Sequence, residues 1–306
     1  MLVGLSGGSD SVALTLLLGE LAEYAGFTVC GVAHLNHGLR ATAGRDEEFC
    51  SQFAARHAVR IAIESADVQT HAREHRLSVE DAARRVRYAF LERIASELGA
   101  DRIAVGHTQD DQAETFLLKL MRGAGLTGLA GIYPRRGSVI RPLLDATRVE
   151  LREYLRARGE SWVDDETNED VENPRNRVRH RVLAELNRAA GGETRPAIAR
   201  AASLIREDGQ WLDELSEARF AALFDDAVDG WQIDASALAA EPPPVLRRIV
   251  LRALRKAAGD REVGLDHVEA VTALVGAGEG GVDVPGARVE LRRGKLVSIQ
   301  QKPSSK

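Results

Sequence analysis

The first third of the chain alternates between short apolar runs and helical patterns, and this alternation constrains the fold more than any other feature. The predicted strands cover residues 2–5, 28–34, 59–63 and 102–106. The predicted helices cover residues 11–25, 44–58, 78–98 and 112–122, and Ser78 with Asp81 gives the third a capping-box-like start. Continuous apolar strands separated by helices predict an α/β fold, a doubly wound parallel sheet covered on both faces.

The pattern changes in the second half of the chain, where long helical segments replace the alternation. Residues 196–224 and 243–258 predict helices, and residues 265–300 predict one more helix followed by short strands. A chain of 306 residues is expected to form about two domains. We therefore predict an α/β domain at residues 1–182, a mainly helical domain at 183–260 and a small α/β part at 261–306.

Composition narrows the class of protein. Hydrophobic residues make up 44% and charged residues 28%, which excludes a disordered or collagen-like chain. The sequence predicts no signal peptide and no membrane-spanning run, and its two cysteines, Cys30 and Cys50, favour a reducing compartment without disulfides. We therefore expect a cytoplasmic protein with no membrane partner. Because the net charge is −5, affinity for a polyanion would depend on local charge patterns.

A turn rich in glycine and serine joins the first predicted strand to the first predicted helix. It consists of Ser6, Gly7, Gly8, Ser9, Asp10 and Ser11. Glycines let backbone amides approach an anion and the helix N-terminus adds its dipole, so the turn predicts a phosphate-binding site. It lacks the lysine of the Walker loop and resembles the loop of the ATP-pyrophosphatase (PP-loop) family, in which Asp10 would help to hold Mg²⁺. The alternative is a plain turn that caps a helix.

Polar segments also follow two other predicted strands, at the sheet edge where ligands bind in such folds. The segment HLNHGLR, which begins at His34, predicts a polar loop over a nucleotide, because its two histidines lack a third metal ligand at suitable spacing. The other segment contains His107, Asp110, Asp111 and Glu114. Adjacent carboxylates beside a histidine suit Mg²⁺ binding or acid–base chemistry, and helix capping is the alternative for the two aspartates.

Two arginine clusters are candidate anion-binding residues. On the predicted helix 78–98, Arg84 and Arg87 lie on the face of Glu80, which suits either ion pairs on a solvated surface or a phosphate clamp. The second cluster has no acidic residue within it, and it comprises Arg175, Arg177, Arg179 and Arg181. This cluster predicts contacts with RNA phosphates, and the alternative is pairing with the acidic residues between positions 164 and 170.

Five segments occur in the order and spacing of one enzyme family. They are SGGSDS, HLNHGLR, EDAARRVRY, GHTQDDQAETFLLKLMRGAG and RPLL. Together they resemble the tRNA(Ile)-lysidine synthetase family, strongly over residues 1–182 and more loosely beyond. The resemblance implies a Rossmann-like PP-loop catalytic domain followed by tRNA-binding regions. It also implies a ligase in two steps: ATP adenylates the C2 oxygen of the wobble cytidine in a CAU-anticodon tRNA(Ile), and free L-lysine then displaces AMP. The product, lysidine, changes codon specificity from AUG to AUA.

The same resemblance implies which residues bind the nucleotide and the metal. The turn at residues 6–11 would bind ATP together with His34. Asp10 and one of Asp110 and Asp111 would manage Mg²⁺ and the ammonium group of lysine. The sequence pattern does not separate these two neighbouring aspartates.

The resemblance also implies roles for the remaining candidate site residues. Arg84 or Arg87, together with His107, would contact phosphates as charge moves onto the leaving group. Glu114 would help to fix the lysine, and the cluster of residues 175–181 would contact the tRNA. The implied co-substrates are ATP, L-lysine and the tRNA, with Mg²⁺ as cofactor, and a homodimer is expected.

Three other functions, two of them within the PP-loop family, would require or permit different sequence features. A tRNA thiolase would use paired cysteines or an iron–sulfur cluster, whereas Cys30 and Cys50 form no C-x-x-C motif. An amidotransferase-type ligase would need a glutaminase nucleophile. A non-catalytic nucleotide- or tRNA-binding module would be free to lose Asp10 or both neighbouring aspartates. The chain begins five residues before the glycine-rich turn, and we expect the larger tail domain of some relatives to be absent.

Overall fold

The computed structural model describes residues 1–38, 43–164, 172–227, 230–259 and 261–300. The chain divides into two units, Met1–Ile205 and Arg206–Lys306, and each has a hydrophobic core of its own. The end of the HLNHGLR segment and residues 165–170 of the acidic stretch lie outside the described residues. None of the described helices is long and apolar enough to span a bilayer.

The first unit is built on a six-stranded sheet. Its strands are β1 (Leu2–Gly4), β2 (Gly31–Asn36), β3 (Ile61–Ser65), β4 (Ile103–Ala104), β5 (Arg135–Arg136) and β6 (Val139–Ile140). The order across the sheet is β3-β2-β1-β4-β6-β5, and only β5 runs antiparallel to its neighbour. Val3 pairs with Val32 on one side and with Ala104 on the other, so β1 lies at the centre. The predicted parallel sheet is confirmed.

Helices connect these strands and continue beyond them. They are α1 (Ser9–Ala25), α2 (Ala43–Arg56), α3 (Val68–His75), α4 (Val79–Glu97), α5 (Gln109–Leu120), α6 (Leu126–Leu129), α7 (Arg148–Ala157), α8 (Pro174–Arg177), a π-helical turn (Val178–Val182), α9 (Leu183–Ala190) and α10 (Arg195–Leu223). Ser78 caps α4 through a hydrogen bond from the amide of Asp81, as the sequence predicts. The sequence patterns did not predict α3, α6, α7, α8 or α9.

Apolar side chains cover both faces of the sheet. On one face, Leu14 of α1, Phe53 of α2 and Leu155 of α7 are fully buried in one cluster. On the other face, Phe90 and Ile94 of α4 pack against the sheet in a second cluster. Each such side chain contributes roughly 1.5–3 kcal/mol by leaving water, so the two clusters stabilise the sheet from both faces.

The structure corrects two details of the predicted elements. The second strand begins at Gly31 rather than at residue 28, and Cys30 is half-buried before it, with its amide donating to the carbonyl of Met1 (2.9 Å). Of the predicted apolar face of α5, Ala113 and Leu117 are buried. The end of that face is exposed because the helix stops there, and it comprises Leu120 and Met121. Both cysteines are free thiols.

One glycine fixes the approach of β4 to the first turn of α1. A Cβ at Gly106 would lie 3.0 Å from both the backbone carbon and the carbonyl oxygen of Asp10. Contacts this short with backbone atoms leave no room for a side chain. Gly106 therefore brings the end of β4 and the turn after β1 to the same point on the sheet edge.

The second unit joins helices to an antiparallel sheet. Its strands are β7 (Phe224–Ala227), β8 (Gly230–Asp234), β9 (Gly281–Val284), β10 (Ala287–Arg292) and β11 (Lys295–Gln300), in the order β7-β8-β11-β10-β9. Its further helices are α11 (Ala235–Ala239), α12 (Pro243–Ala258) and α13 (Leu265–Ala277). Ile249 of α12, Val271 of α13 and Leu296 of β11 are fully buried in one core. The sequence patterns predicted α12, α13 and the late strands but not the β7–β8 pair.

Candidate active site

A cavity of about 950 Å³ opens at the carboxyl ends of β1, β2 and β4. Twelve of the predicted site residues line it: Ser6, Gly8, Ser9, Asp10, Ser11, His34, Arg84, Arg87, His107, Asp111, Arg175 and Arg179. Five others do not: Gly7, Asp110, Glu114, Arg177 and Arg181. The sheet therefore brings together segments that are far apart in sequence, as expected for a parallel α/β fold.

The turn between β1 and α1 has the form of an anion cradle. Gly7 has a φ of +87°, a value that favours glycine, and its carbonyl accepts a hydrogen bond from the amide of Val163 (2.9 Å). The hydroxyl of Ser11 accepts from the amide of Ser6 (3.1 Å) and closes the turn. Gly8 offers no side-chain cap, and the amide of Ser11 donates to its carbonyl (3.1 Å), but the amides of Ser9 and Asp10 have no intrahelical acceptor. They are therefore available to an anion at the positive end of the helix dipole.

Asp10 and Asp111 share one guanidinium, that of Arg148. Nε of Arg148 donates to Asp10 Oδ2 (3.0 Å), and one terminal nitrogen lies 3.4 Å from Asp111 Oδ1. Burial raises the pKa of Asp10 above 3.8, and Arg148 offsets part of this rise. Burial acts in the same direction on Asp111, but the charges of Arg175 and Arg148 outweigh it and hold its pKa below 3.8. The two carboxylates thus differ in their affinity for a proton.

The two neighbouring aspartates of α5 have different surroundings. Asp111 forms a capping box with Thr108, accepting the Thr108 amide through Oδ2 (2.9 Å), and it still presents Oδ1 to arginines at the cavity. Asp110 Oδ2 accepts a hydrogen bond from the backbone amide of Arg148 (2.8 Å), and Asp110 Oδ1 lies 3.1 Å from Nε of Arg195. Capping and cavity contact are therefore combined in Asp111, whereas Asp110 ties α5 to α7 and α10.

Glu114 is a buried anchor for two arginines of the second cluster. Its side chain is 1% exposed, and its oxygens accept from Nε of Arg175 (2.7 Å) and Nε of Arg179 (2.6 Å). Arg175 also reaches Asp111 Oδ1 at 3.2 Å. The other two arginines of the cluster, Arg177 and Arg181, are exposed. The predicted phosphate-binding cluster is thus divided, and its inward half, Arg175 and Arg179, pairs with carboxylates of α5.

The arginines of α4 have a different environment. The guanidiniums of Arg84 and Arg87 lie 5.2 Å and 5.4 Å from the ring centre of Tyr88, and Arg141 donates to the Tyr88 hydroxyl (3.3 Å). The predicted alternative, ion pairing with Glu80, is not found, and no carboxylate among the described residues pairs with these three arginines. Burial lowers the pKa of Arg87. Unpaired cations at a cavity wall favour an anionic ligand.

Two histidines of the cavity have one ring nitrogen each without a hydrogen-bond partner. Nδ1 of His34 lies 2.9 Å from the carbonyl of Leu5 and 3.3 Å from the thiol of Cys50, whereas Nε2 is buried without a partner. Burial raises the pKa of that thiol to about 12. In His107 the orphaned atom is Nδ1, and burial lowers the pKa of the ring far below 6.5. His107 is therefore neutral at physiological pH and suited to a hydrogen bond rather than to charge.

The Asp10–Asp111 pair offers the hard oxygen ligands that Mg²⁺ prefers. Within the described ranges, no three histidine, cysteine or acidic side chains converge as a metal cluster. A divalent cation at this pair would therefore take its remaining ligands from water or from a bound substrate, which is the usual arrangement for Mg²⁺ at phosphates.

Sequence reasoning missed several residues of the site, and Arg148 is the most important of them. It is the first residue of α7, directly after Thr147, which forms a capping box with Glu150. That T-x-x-E pattern was the available signal for a helix start near the sheet edge. Arg141 lies within the RPLL segment but had no assigned role, and Arg195 has no distinguishing pattern around it.

Comparisons with known proteins place this geometry in a family. Residues 1–186 match the PP-loop domain family. Among curated relatives, tRNA(Ile)-lysidine synthase of Geobacter sulfurreducens is 40% identical over 90% of this chain and 59% of its own length. That of Symbiobacterium thermophilum is 37% identical over 99% of this chain and 66% of its own length. That of Thermus thermophilus is 41% identical over 84% of this chain and 48% of its own length. The chain thus spans about half to two thirds of these relatives.

A solved structure with the same fold is the U34-tRNA thiolase NcsA from Methanococcus maripaludis with its [4Fe-4S] cluster. Its TM-score is 0.52 at 18% identity, and the match covers 67% of this chain and 71% of that one. The likeness supports the fold alone. With the parallel sheet, the glycine-rich turn at its edge and a family match over more than half of its length, this chain belongs to the PP-loop family, whose members use ATP.

Proposed function

We propose that this chain carries out the two-step ligase reaction of its curated relatives, joining L-lysine to the wobble cytidine of a CAU-anticodon tRNA(Ile). First, the C2 oxygen of cytidine attacks the α-phosphorus of ATP and pyrophosphate leaves. Then the ε-amine of lysine attacks C2, the C2–O bond breaks, AMP leaves and the amine loses a proton. The observation that carries this proposal is the meeting of an anion cradle, unpaired arginines and buried carboxylates in one cavity.

The cradle and the α4 arginines suit the first step. The amides of Ser9 and Asp10 would bind the pyrophosphate part of ATP, and the hydroxyl of Ser9, which donates to Asp10 Oδ1, would join them by turning toward the phosphate. Arg84 and Arg87 would stabilise the negative charge that grows on the leaving group, and neutral His107 would donate or accept one hydrogen bond there. Mg²⁺ held by Asp10 and Asp111 would supply further charge neutralisation at the phosphates.

The carboxylates suit the second substrate. Free lysine brings an ammonium group; Asp111 lines the cavity, and Glu114, which is buried and does not line it, shares Arg175 with Asp111. Both carboxylates pair with arginines, so lysine would bind Asp111 by taking over one of its pairs. The separate environments of the two aspartates favour Asp111 for this role, with Asp110 holding the backbone of α7 in place.

Exposed cations near the cavity suit the RNA. Arg177 and Arg181 are the exposed arginines of the second cluster and would contact phosphates of the anticodon arm. The wobble cytidine leaves its stack at low cost because the anticodon loop is single-stranded. The predicted division of the chain into catalytic and tRNA-binding regions, the cytoplasmic location and the homodimer remain predictions.

The test is incorporation of labelled lysine into an isoleucine tRNA transcript with a CAU anticodon, in the presence of ATP and Mg²⁺. A methionine tRNA and a reaction without ATP are the controls. We expect ATP-dependent labelling of the isoleucine tRNA alone. Pyrophosphate release that depends on tRNA but transfers no lysine would retain adenylation and reject lysine as nucleophile. Absence of both activities in folded protein would favour a non-catalytic binding module.

A matched pair of variants tests the assignment of the aspartates. Asp111→Asn should abolish lysine transfer, because it removes a charge that faces the cavity. Asp110→Asn should keep measurable transfer and lower thermal stability, because its contacts are to Arg195 and to the backbone of Arg148. Equal loss of transfer in both variants would contradict this assignment.

The RNA contacts are tested by the salt dependence of tRNA binding. Arg177→Gln combined with Arg181→Gln should reduce the slope of log K against log salt by about one to two, the number of phosphate contacts removed. The control removes two exposed arginines of the α3 region, Arg73→Gln with Arg76→Gln. A slope that changes equally in both double variants would assign the effect to net charge.

A further inference from the structure

Each side-chain oxygen of Asp10 and Asp111 accepts a hydrogen bond from a donor of the protein itself. Asp10 Oδ1 accepts from the hydroxyl of Ser9 (2.8 Å), and Asp111 Oδ2 accepts from the amide of Thr108 (2.9 Å). Each carboxylate therefore has one oxygen tied to the start of its own helix. The remaining two, Asp10 Oδ2 and Asp111 Oδ1, both face Arg148, and Asp111 Oδ1 is also 3.2 Å from Arg175, so Arg148 is the guanidinium that the two carboxylates share.

Arg148 is anchored so that only its side chain is free to leave. Its backbone amide donates to Asp110 Oδ2 (2.8 Å), and it begins α7 behind the capping box of Thr147 and Glu150. Its guanidinium spans the two carboxylates while its side chain remains 20% exposed at the cavity. A long side chain on a fixed backbone reaches other positions in the cavity by rotation about its own bonds.

A divalent cation at this pair needs the same lone pairs. Inner-sphere Mg²⁺ ligands are oxygens at about 2.0–2.1 Å, and a guanidinium already bonded to those oxygens excludes the ion by space and by like charge. A divalent metal and the guanidinium of Arg148 therefore cannot bind these carboxylate oxygens at the same time.

We propose that Arg148 is the resident counter-ion of the Asp10–Asp111 pair and that a divalent metal binds there only by displacing it. The inference rests on the proposed use of this pair for the metal of the nucleotide. It follows that the free chain binds metal weakly, and that metal enters with the nucleotide, whose phosphates give the displaced guanidinium a new partner. Arg148 is then a positioning residue that keeps both carboxylates in place between turnovers.

The test measures Mn²⁺ binding to the full chain without nucleotide, lysine or tRNA, by the loss of the electron paramagnetic resonance signal of free Mn²⁺. Arg148→Gln replaces the shared guanidinium by a shorter, neutral polar side chain and leaves Arg175 on Asp111, and we expect it to bind Mn²⁺ at least about tenfold more tightly than the unmodified chain. Arg158→Gln is the matched control, an arginine at the end of α7 that pairs with Glu20 at the surface, and its affinity should be unchanged. Unchanged or weaker Mn²⁺ binding by Arg148→Gln would overturn the proposal.

Two further variants keep the result decisive. Asp10→Asn combined with Arg148→Gln should lose the gain, and a gain that survives would locate the metal elsewhere and reject the proposal. Arg148→Lys retains a charge but cannot bridge both carboxylates, so it should show a smaller gain, and it replaces Arg148→Gln if that variant fails to fold. Because no step uses tRNA or lysine, a failure of lysine transfer leaves this result independent.

Discussion

Two groups of arginines border the same cavity and differ in what neutralises them. Arg148, Arg175 and Arg179 each bond to a buried carboxylate of α1 or α5. Arg84 and Arg87 instead lie against the ring of Tyr88, with no carboxylate partner among the described residues. The first group holds acidic side chains in place, and the second leaves positive charge available. A single cavity is thereby lined both by arginines that pair with carboxylates and by arginines with no such partner among the described residues.

The difference predicts opposite responses to mutation. Breaking a buried ion pair leaves an uncompensated charge and destabilises the fold, whereas removing a cation that has no ionic partner leaves nothing unpaired. Stability should therefore depend on the paired group, and anion binding on the unpaired group.

The largest effect is expected for Glu114→Gln, which removes the charge that holds Arg175 and Arg179. Because Glu114 is buried, we expect the free energy of unfolding to fall by about 3 kcal/mol, measured by urea denaturation. Glu97→Gln is the control, since Glu97 is 56% exposed and pairs with Arg93 at the surface, where a pair contributes only about 0.5 kcal/mol. Equal losses in the two variants would remove the distinction between buried and exposed pairs.

Arg87→Gln tests the unpaired group. We expect pyrophosphate release to fall about 10²-fold, because a cation aimed at developing charge is lost. Its free energy of unfolding should change by no more than about 1 kcal/mol, the value of a cation–π contact. Arg85→Gln, at an exposed arginine of the same helix, should keep full activity. An active but unstable Arg87→Gln would place Arg87 with the structural arginines.

The sequence predicted the fold to the extent that local pattern determines it. Continuous apolar runs gave four parallel strands, and the glycine-rich turn lies between β1 and α1 as predicted. The sequence patterns missed short elements such as α7 and the β7–β8 pair, which are too short to give a clear hydrophobic period. In these segments tertiary contacts, rather than local propensity, select the structure.

The candidate site was predictable by residue type but not by pairing. The pattern placed Asp111 and Glu114 near the sheet edge and Arg175 in a cluster predicted to contact RNA, yet ion pairs 61 and 64 residues apart have no signature in one sequence. Arg148 lies 138 residues from its partner Asp10. Only the fold determines which arginines meet carboxylates and which remain free.

Charges from both arginine groups act on the ring of His107, and the burial of this ring makes the free energy of unfolding depend on pH. Burial lowers its pKa far below 6.5, Asp111 opposes this, and Arg87, Arg141 and Arg175 add to it. Between pH 6.5, the ordinary pKa of histidine, and the pKa of about 3 in the folded chain, the unfolded chain binds a proton that the folded chain does not. The free energy of unfolding therefore falls as the pH drops below 6.5. His107→Gln should flatten this dependence by up to about 1 kcal/mol per pH unit, measured by urea denaturation between pH 7 and 5. Parallel curves for the two proteins would contradict the neutral buried ring.

The smallest effect should appear in the titration of His107 when either arginine group is altered. Arg87→Gln removes a repelling charge, so the pKa of His107 should rise toward 6.5. Arg148→Gln removes a guanidinium that pairs with Asp111, which frees that carboxylate to attract a proton to His107, and the pKa should rise again. Nuclear magnetic resonance of the labelled ring measures both shifts, with Arg85→Gln as the reference. A downward shift of the pKa in either variant would mean that the two arginine groups do not act on the His107 ring through their charge. The two groups would then differ in their packing around the ring and not in their electrostatic effect on it.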